Sequence, residues 1–151
     1  MEKQINISKQ TRRNFLNLID SLSVEQLNKI PAGMNNNIAW NFGHIVATQQ
    51  LLCYTLAGAV PRVDQSLIDK YRKGTKPESF IDSDEIELLK KLSISLIDEL
   101  EKDIKTDIFN NYKSYPTSYG VGLSSIEDAV NFFPMHEAMH YGVALTIKKF
   151  V

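Results

Sequence analysis

Cysteine, long apolar runs and an excess of one charge sign are all scarce in this sequence. A single cysteine, Cys53, excludes an internal disulfide, which fits a reducing cytoplasm better than a secreted protein. The most apolar stretch, residues 51–60, is well short of the ~20 residues of a membrane-spanning helix, and residues 1–19 lack the apolar core of a secretion signal. The formal net charge of −1 gives no basic surplus to neutralise phosphates. We therefore expect a cytoplasmic protein that binds neither membranes nor nucleic acid.

Glycine and proline are also few, with 7 and 5 among 151 residues, and no repeat or linker divides the chain. No segment alternates apolar and polar residues for long enough to indicate a sheet. We therefore expect one domain over residues 1–151. Helical periodicity instead marks four long segments, at about residues 8–22, 38–57, 83–105 and 125–149.

Capping patterns support these segments and add detail between them. Ser23 with Gln26 predicts a short helix before Pro31, and the asparagines of residues 35–37 suit the start of the second long helix. Capping boxes are also expected at Asp82 with Glu85 and at Ser124 with Glu127. Pro134 should kink the last helix just before His136. With a short helical turn at about 67–71, the predicted fold is an all-α four-helix bundle with two long loops, 59–80 and 110–122.

The main chemical signal is the sequence HEAMH, residues 136–140. Two histidines four apart on a helix lie about 40° apart around its axis, so His136 and His140 can reach one ion. The zinc-protease pattern HExxH has this form, but no His, Asp, Glu or Cys follows His140 to serve as a third ligand. A third ligand would lie upstream, where His44 is the one other histidine; a buried, hydrogen-bonded His44 with no metal is the alternative.

Several further residues are candidates for the surroundings of such a site. Trp40, Asn41 and Thr48 lie on the His44 helix, although Trp40 equally suits the core, and Cys53 should face away from His44. Glu137 is either a general base or ring N–H acceptor beside the histidines, or a residue that faces solvent or forms a salt bridge between helices. The loop tyrosines either close over the site or anchor the loop; they are Tyr112, Tyr115 and Tyr119.

These features together resemble the DinB-like family, which includes the bacillithiol S-transferases. The resemblance rests on NNNIAWNFGHIV, residues 35–46, and on HEAMHYG, residues 136–142. It implies a four-helix bundle, often homodimeric, in which His44, His136 and His140 bind one divalent ion, usually zinc or nickel. Many relatives carry glutamine where this chain has Val143, so any role of that amide is absent or supplied elsewhere.

Three imidazoles leave an open position on the ion, whereas closed structural sites normally have four protein ligands. Such a position supports thiol transfer to an electrophile or metal-assisted hydrolysis. The resemblance favours thiol transfer, and it therefore implies a metal-dependent thiol S-transferase acting on small molecules, with a low-molecular-weight thiol as one substrate. The alternatives are a hydrolase, a non-catalytic metal- or ligand-binding stress-related bundle, and a helical domain without metal.

Overall fold

The computed structural model describes all residues from 1 to 151. Its long helices are α1 (Glu2–Asp20), α3 (Ile38–Gln50), α5 (Ser83–Asp103) and α6 (Ile126–Ile147). Two shorter helices, α2 (Val24–Asn28) and α4 (Gln65–Tyr71), lie between them. The four long helices pack on one another, which confirms the predicted bundle, and α1 begins six residues earlier than its apolar stripe suggested.

The helix starts follow local capping chemistry. The Ser23–Gln26 capping box is present, and the Asn37 side chain accepts from Trp40 N at the start of α3. The box predicted at Ser124 is wrong by one residue, because Ser125 is the N-cap and accepts from the backbone of Asp128. The Asp128 carboxylate in turn accepts from the backbone and the hydroxyl of Ser124.

Helix α3 does not end at Gln50 but continues as a π-helical turn over Leu51–Thr55. Its defining bond runs from Leu56 N to Leu51 O, five residues apart, at 3.0 Å. Single π turns inside α-helices occur frequently at functional sites. Gly58 then ends the segment with φ of 71°, a left-handed conformation in which glycine avoids the penalty of a Cβ.

The expectation of no sheet is wrong for one small element. In the second long loop, β1 (Tyr115–Pro116) pairs antiparallel with β2 (Gly122–Leu123), in the register Tyr115 with Leu123. Strands of two residues leave no alternation in the sequence that could reveal them. Helix α6, by contrast, runs unbroken through Pro134, as the long fourth segment predicted.

The bundle interior contains a buried charge. The guanidinium of Arg12 on α1 is fully buried and donates to Glu137 Oε1 on α6 at 2.5 Å and 3.0 Å. It also donates to Ser93 O on α5 at 2.7 Å and to Gln49 Oε1 on α3 at 3.0 Å. One side chain thus connects all four long helices, between two clusters of apolar core residues. None of the helices combines the length and hydropathy that a membrane span requires.

Candidate metal centre

The three histidines meet between α3 and α6. His44 lies on α3 and the other two on α6, with ring centroids 4.5 Å apart for His44 and His140. The ring centroid of His136 lies 5.1 Å from that of His44 and 4.6 Å from that of His140. One ring nitrogen of each residue lies within 4.8 Å of the others, so this cluster could hold a metal ion.

Backbone contact with α4 fixes the ring of His44. Its Nδ1 lies 2.6 Å from the carbonyl oxygen of Tyr71. A carbonyl only accepts, so Nδ1 carries the proton and Nε2 keeps its lone pair. The approach depends on Gly43, because a Cβ there would lie 2.5 Å from the Tyr71 ring. The glycine next to His44 therefore makes room for the Tyr71 ring.

A polar network fixes the ring of His140. Its Nδ1 lies 2.8 Å from Asn41 Oδ1. The amide group of Asn41 donates to the Asn37 carbonyl at 2.7 Å and to Asn36 Oδ1 at 3.1 Å, which places its oxygen toward His140. His140 Nδ1 therefore donates, and its Nε2 is the free acceptor. Hydrogen bonds of this kind orient histidine ligands in metal sites.

All three imidazoles are held in the neutral form that a metal requires. Burial, together with repulsion from the neighbouring His44, lowers the pKa of His136 to about 3. Burial likewise lowers the pKa of His140 to about 3, with added repulsion from His136 and His44. Burial also lowers the pKa of His44, although the hydrogen bond to Tyr71 acts in the opposite direction. The Nδ1 of His136 is buried with no hydrogen-bond partner.

A cavity of about 470 Å³ lies against the histidines, and all three contribute to its wall. Thr48 and Trp40, predicted near His44, both line it, and the Trp40 ring also stacks on His44 at 4.7 Å. Trp40 is only 6% exposed, so it belongs to the core as well as to the cavity wall. The remaining α3 candidate, Asn41, acts through its bond to His140.

The loop tyrosines divide between the two roles considered for them. Tyr115 and Tyr119 of the small hairpin line the cavity. Tyr112 does not; its hydroxyl donates to the carbonyl of Leu52 at 3.0 Å and so anchors the loop. Cys53 is fully buried among core residues away from the histidines, as predicted.

Glu137 belongs to the ion pair with Arg12 and not to the histidine cluster. Its carboxylate is 1% exposed, so the salt-bridge alternative is confirmed while a solvent-facing position is wrong. The sequence also gave no indication of Tyr71 and Lys73, which reach the site from the first long loop. Three other cavity residues could have been found from the sequence, because they share a helical face with His136 and His140; they are Phe132, Met135 and Met139.

Comparison with known proteins agrees with this geometry. The model of the family described as the DinB superfamily matches residues 8–144. The match contains all three histidines and every long helix except the ends of α1 and α6. No curated protein matches the chain.

Proposed function

This chain belongs to the DinB superfamily, and we propose that it binds one divalent metal ion through His44, His136 and His140. We further propose that it is a metal-dependent enzyme of the thiol S-transferase type that acts on small molecules. The supporting observation is the pair of Nδ1 hydrogen bonds, from His44 to Tyr71 O and from His140 to Asn41 Oδ1, which leave Nε2 of both rings unprotonated, with a lone pair.

The donor set suits zinc or nickel. Neutral imidazole nitrogens are ligands for both metals, and soft thiolates or hard carboxylates are absent from the cluster. Three protein ligands leave at least one position open, and the cavity adjoins all three. This supports an open site and argues against a structural ion enclosed by protein.

When bound, such an ion would supply the Lewis acidity that favours the thiolate form of a thiol. The chain itself contributes orientation and exclusion of water. The Thr48 hydroxyl lies 3.4 Å from His44 Nε2, and apolar side chains form much of the cavity wall. No carboxylate lines the cavity, since Glu137 is held by Arg12. Hydrolysis assisted by a carboxylate base is therefore less well supported than thiol transfer, whose nucleophile needs only to be ionised.

Metal content tests the first part of the proposal. Protein purified without an affinity tag should contain about one equivalent of zinc or nickel per chain, as measured by inductively coupled plasma mass spectrometry. His44→Ala and His136→Ala should lose most of it. Met139→Ala is the matched control, since Met139 lines the same cavity on the same helix as His136. Near-zero metal in the wild type, or no loss in the histidine variants, would contradict metal binding.

Turnover tests the second part. Metal-reconstituted protein is mixed with several low-molecular-weight thiols and an activated aryl chloride, and the thioether product is measured. We expect a rate above that of the metal-free protein and of His136→Ala. A rate equal to both, in protein that holds its metal, would favour the alternative of a non-catalytic ligand-binding bundle. The homodimer and the choice between zinc and nickel stay predictions.

A further inference from the structure

The cavity beside the histidines has an uneven distribution of charge. Among its 18 lining residues, Lys73 alone carries a full charge at neutral pH, since the histidines are neutral and no aspartate or glutamate takes part. Lys73 is exposed and belongs to none of the ion pairs in the chain. A cation at the open side of the cavity is thus left without a counter-charge.

The π-helical turn brings apolar residues of α3 and its continuation to the cavity wall. In an α-helix, residues four positions apart differ by about 40° around the axis, so a long series of residues at this spacing leaves one face of the helix. The wider turn over residues 51–55 reduces that drift, so His44, Thr48, Leu52 and Leu56 all line the cavity at four-residue spacing. Across from them, Phe132 and Met135 of α6 extend the apolar surface.

Size limits the occupant. Taking the ~30 Å³ share of a water molecule as a guide, a cavity of about 470 Å³ has room for about 16 non-hydrogen atoms. An occupant with an anionic end loses least hydration when that end stays at the exposed rim. Its apolar part then lies against the apolar lining residues, among them Leu52, Leu56 and Phe132.

From these observations we infer that the cavity takes a small amphipathic anion, with its carboxylate or similar group paired with Lys73 and its apolar part against Leu52, Leu56 and Phe132. This assignment rests on the proposed function in one respect, since the occupant would share the cavity with the three proposed metal ligands. It adds a specificity-determining residue, Lys73, on the loop after α4.

Trp40 provides the measurement, because it is the one tryptophan of the chain and lines the cavity. Decanoate, decanol and decyltrimethylammonium are titrated into EDTA-treated protein while tryptophan emission is followed. Decanoate should bind most tightly and the cation most weakly. Lys73→Met should weaken decanoate about two- to fivefold, the range of exposed ion pairs, and leave decanol unchanged. Lys73→Glu should weaken decanoate further.

Lys76→Met is the matched control, since Lys76 is exposed, lies three residues along the same loop and does not line this cavity. Equal affinity for decanoate and decanol, or an equal effect of Lys73→Met and Lys76→Met, would overturn the inference. So would decanoate binding that strengthens with added Ni²⁺ and ignores Lys73→Met, because the anion would then lie at the ion.

Use of metal-free protein separates this result from the test of metal binding. Lys73-dependent binding of decanoate in a protein that takes up no metal would support the cavity assignment and refute the metal centre. A protein that holds its ion but does not bind decanoate would do the reverse. Both lysine variants change exposed side chains, so loss of folding does not complicate either outcome.

Discussion

Gly43→Ala should disturb the proposed metal centre without replacing any of its three histidines. The added Cβ would lie 2.5 Å from two carbons of the Tyr71 ring, which is itself fully buried. The ring must retreat by about 1 Å to reach ordinary van der Waals contact. Helix α4 carries the ring and the carbonyl that binds His44, so a shift of this size would stretch the 2.6 Å contact to about 3.6 Å, beyond hydrogen-bond range.

Two effects of opposite sign act on stability. Alanine inside a helix is better than glycine by about 0.5–1 kcal/mol, whereas overpacking a filled core costs about 1–3 kcal/mol. We expect a net loss of about 1–2 kcal/mol in the free energy of unfolding for Gly43→Ala. Loss of the bond that orients His44 should also weaken metal binding about 10- to 100-fold, the usual effect of removing such a partner.

Gly142→Ala is the matched control, because Gly142 lies within α6 and a Cβ there meets nothing within 4 Å. It should gain about 0.5–1 kcal/mol and keep its metal affinity. Urea unfolding measures stability, and Ni²⁺ titration followed by the emission of Trp40, which stacks on His44, measures affinity. The reasoning is refuted if Gly43→Ala is as stable as Gly142→Ala, or binds Ni²⁺ as tightly as the wild type.

Three further predictions concern charge and capping. Arg12→Met and Glu137→Gln should each lower the free energy of unfolding in urea by about 3–5 kcal/mol, because one buried charge loses its partner. Replacing both residues by methionine should lower it far less. Losses that add in the double variant would contradict this. In metal-free protein, His136 and His140 have pKa values of about 3, whereas in the unfolded chain they take up protons near pH 6.5. The free energy of unfolding should therefore fall as the pH drops from about 6.5 toward 3. A pH profile identical to that of the variant in which both histidines are replaced by asparagine would count against this. Asn37→Ala removes the N-cap of α3 and should cost about 1 kcal/mol by thermal unfolding, and an unchanged midpoint would contradict the capping role.

Periodicity was sufficient for the helices because each buries one apolar face over many residues. Helix α5, predicted from its stripe and from Asp82, is found at residues 83–103. The π turn and the hairpin could not be predicted, since a few residues with altered hydrogen bonding leave the apolar pattern almost unchanged. The short α4 was expected as a helical turn. Its contact with His44 was not expected, because that contact uses the Tyr71 backbone carbonyl, which leaves no mark in the sequence.

The histidines were identifiable for a different reason. They are the three histidines of the chain, and two share a helical face, so their residue type alone marked them. Arg12 had no such mark, because an arginine among the polar residues of an amphipathic helix normally remains in solvent. Only the positions of Ser93, Gln49 and Glu137 on three other helices make its burial favourable.

The buried ion pair and the histidine cluster are connected through the rotation of α6. Glu137 follows His136 at 100° around the helix axis, so the two side chains face different neighbours. A turn of α6 that carried His136 away from His44 would also take Glu137 away from Arg12 and leave two buried charges without partners, at a cost of several kcal/mol. The ion pair therefore selects the orientation in which the histidines of α6 face α3, although it contacts none of them. The glutamate of the HEAMH sequence thus lies in the ion pair with Arg12 and contributes to the packing that orients α6.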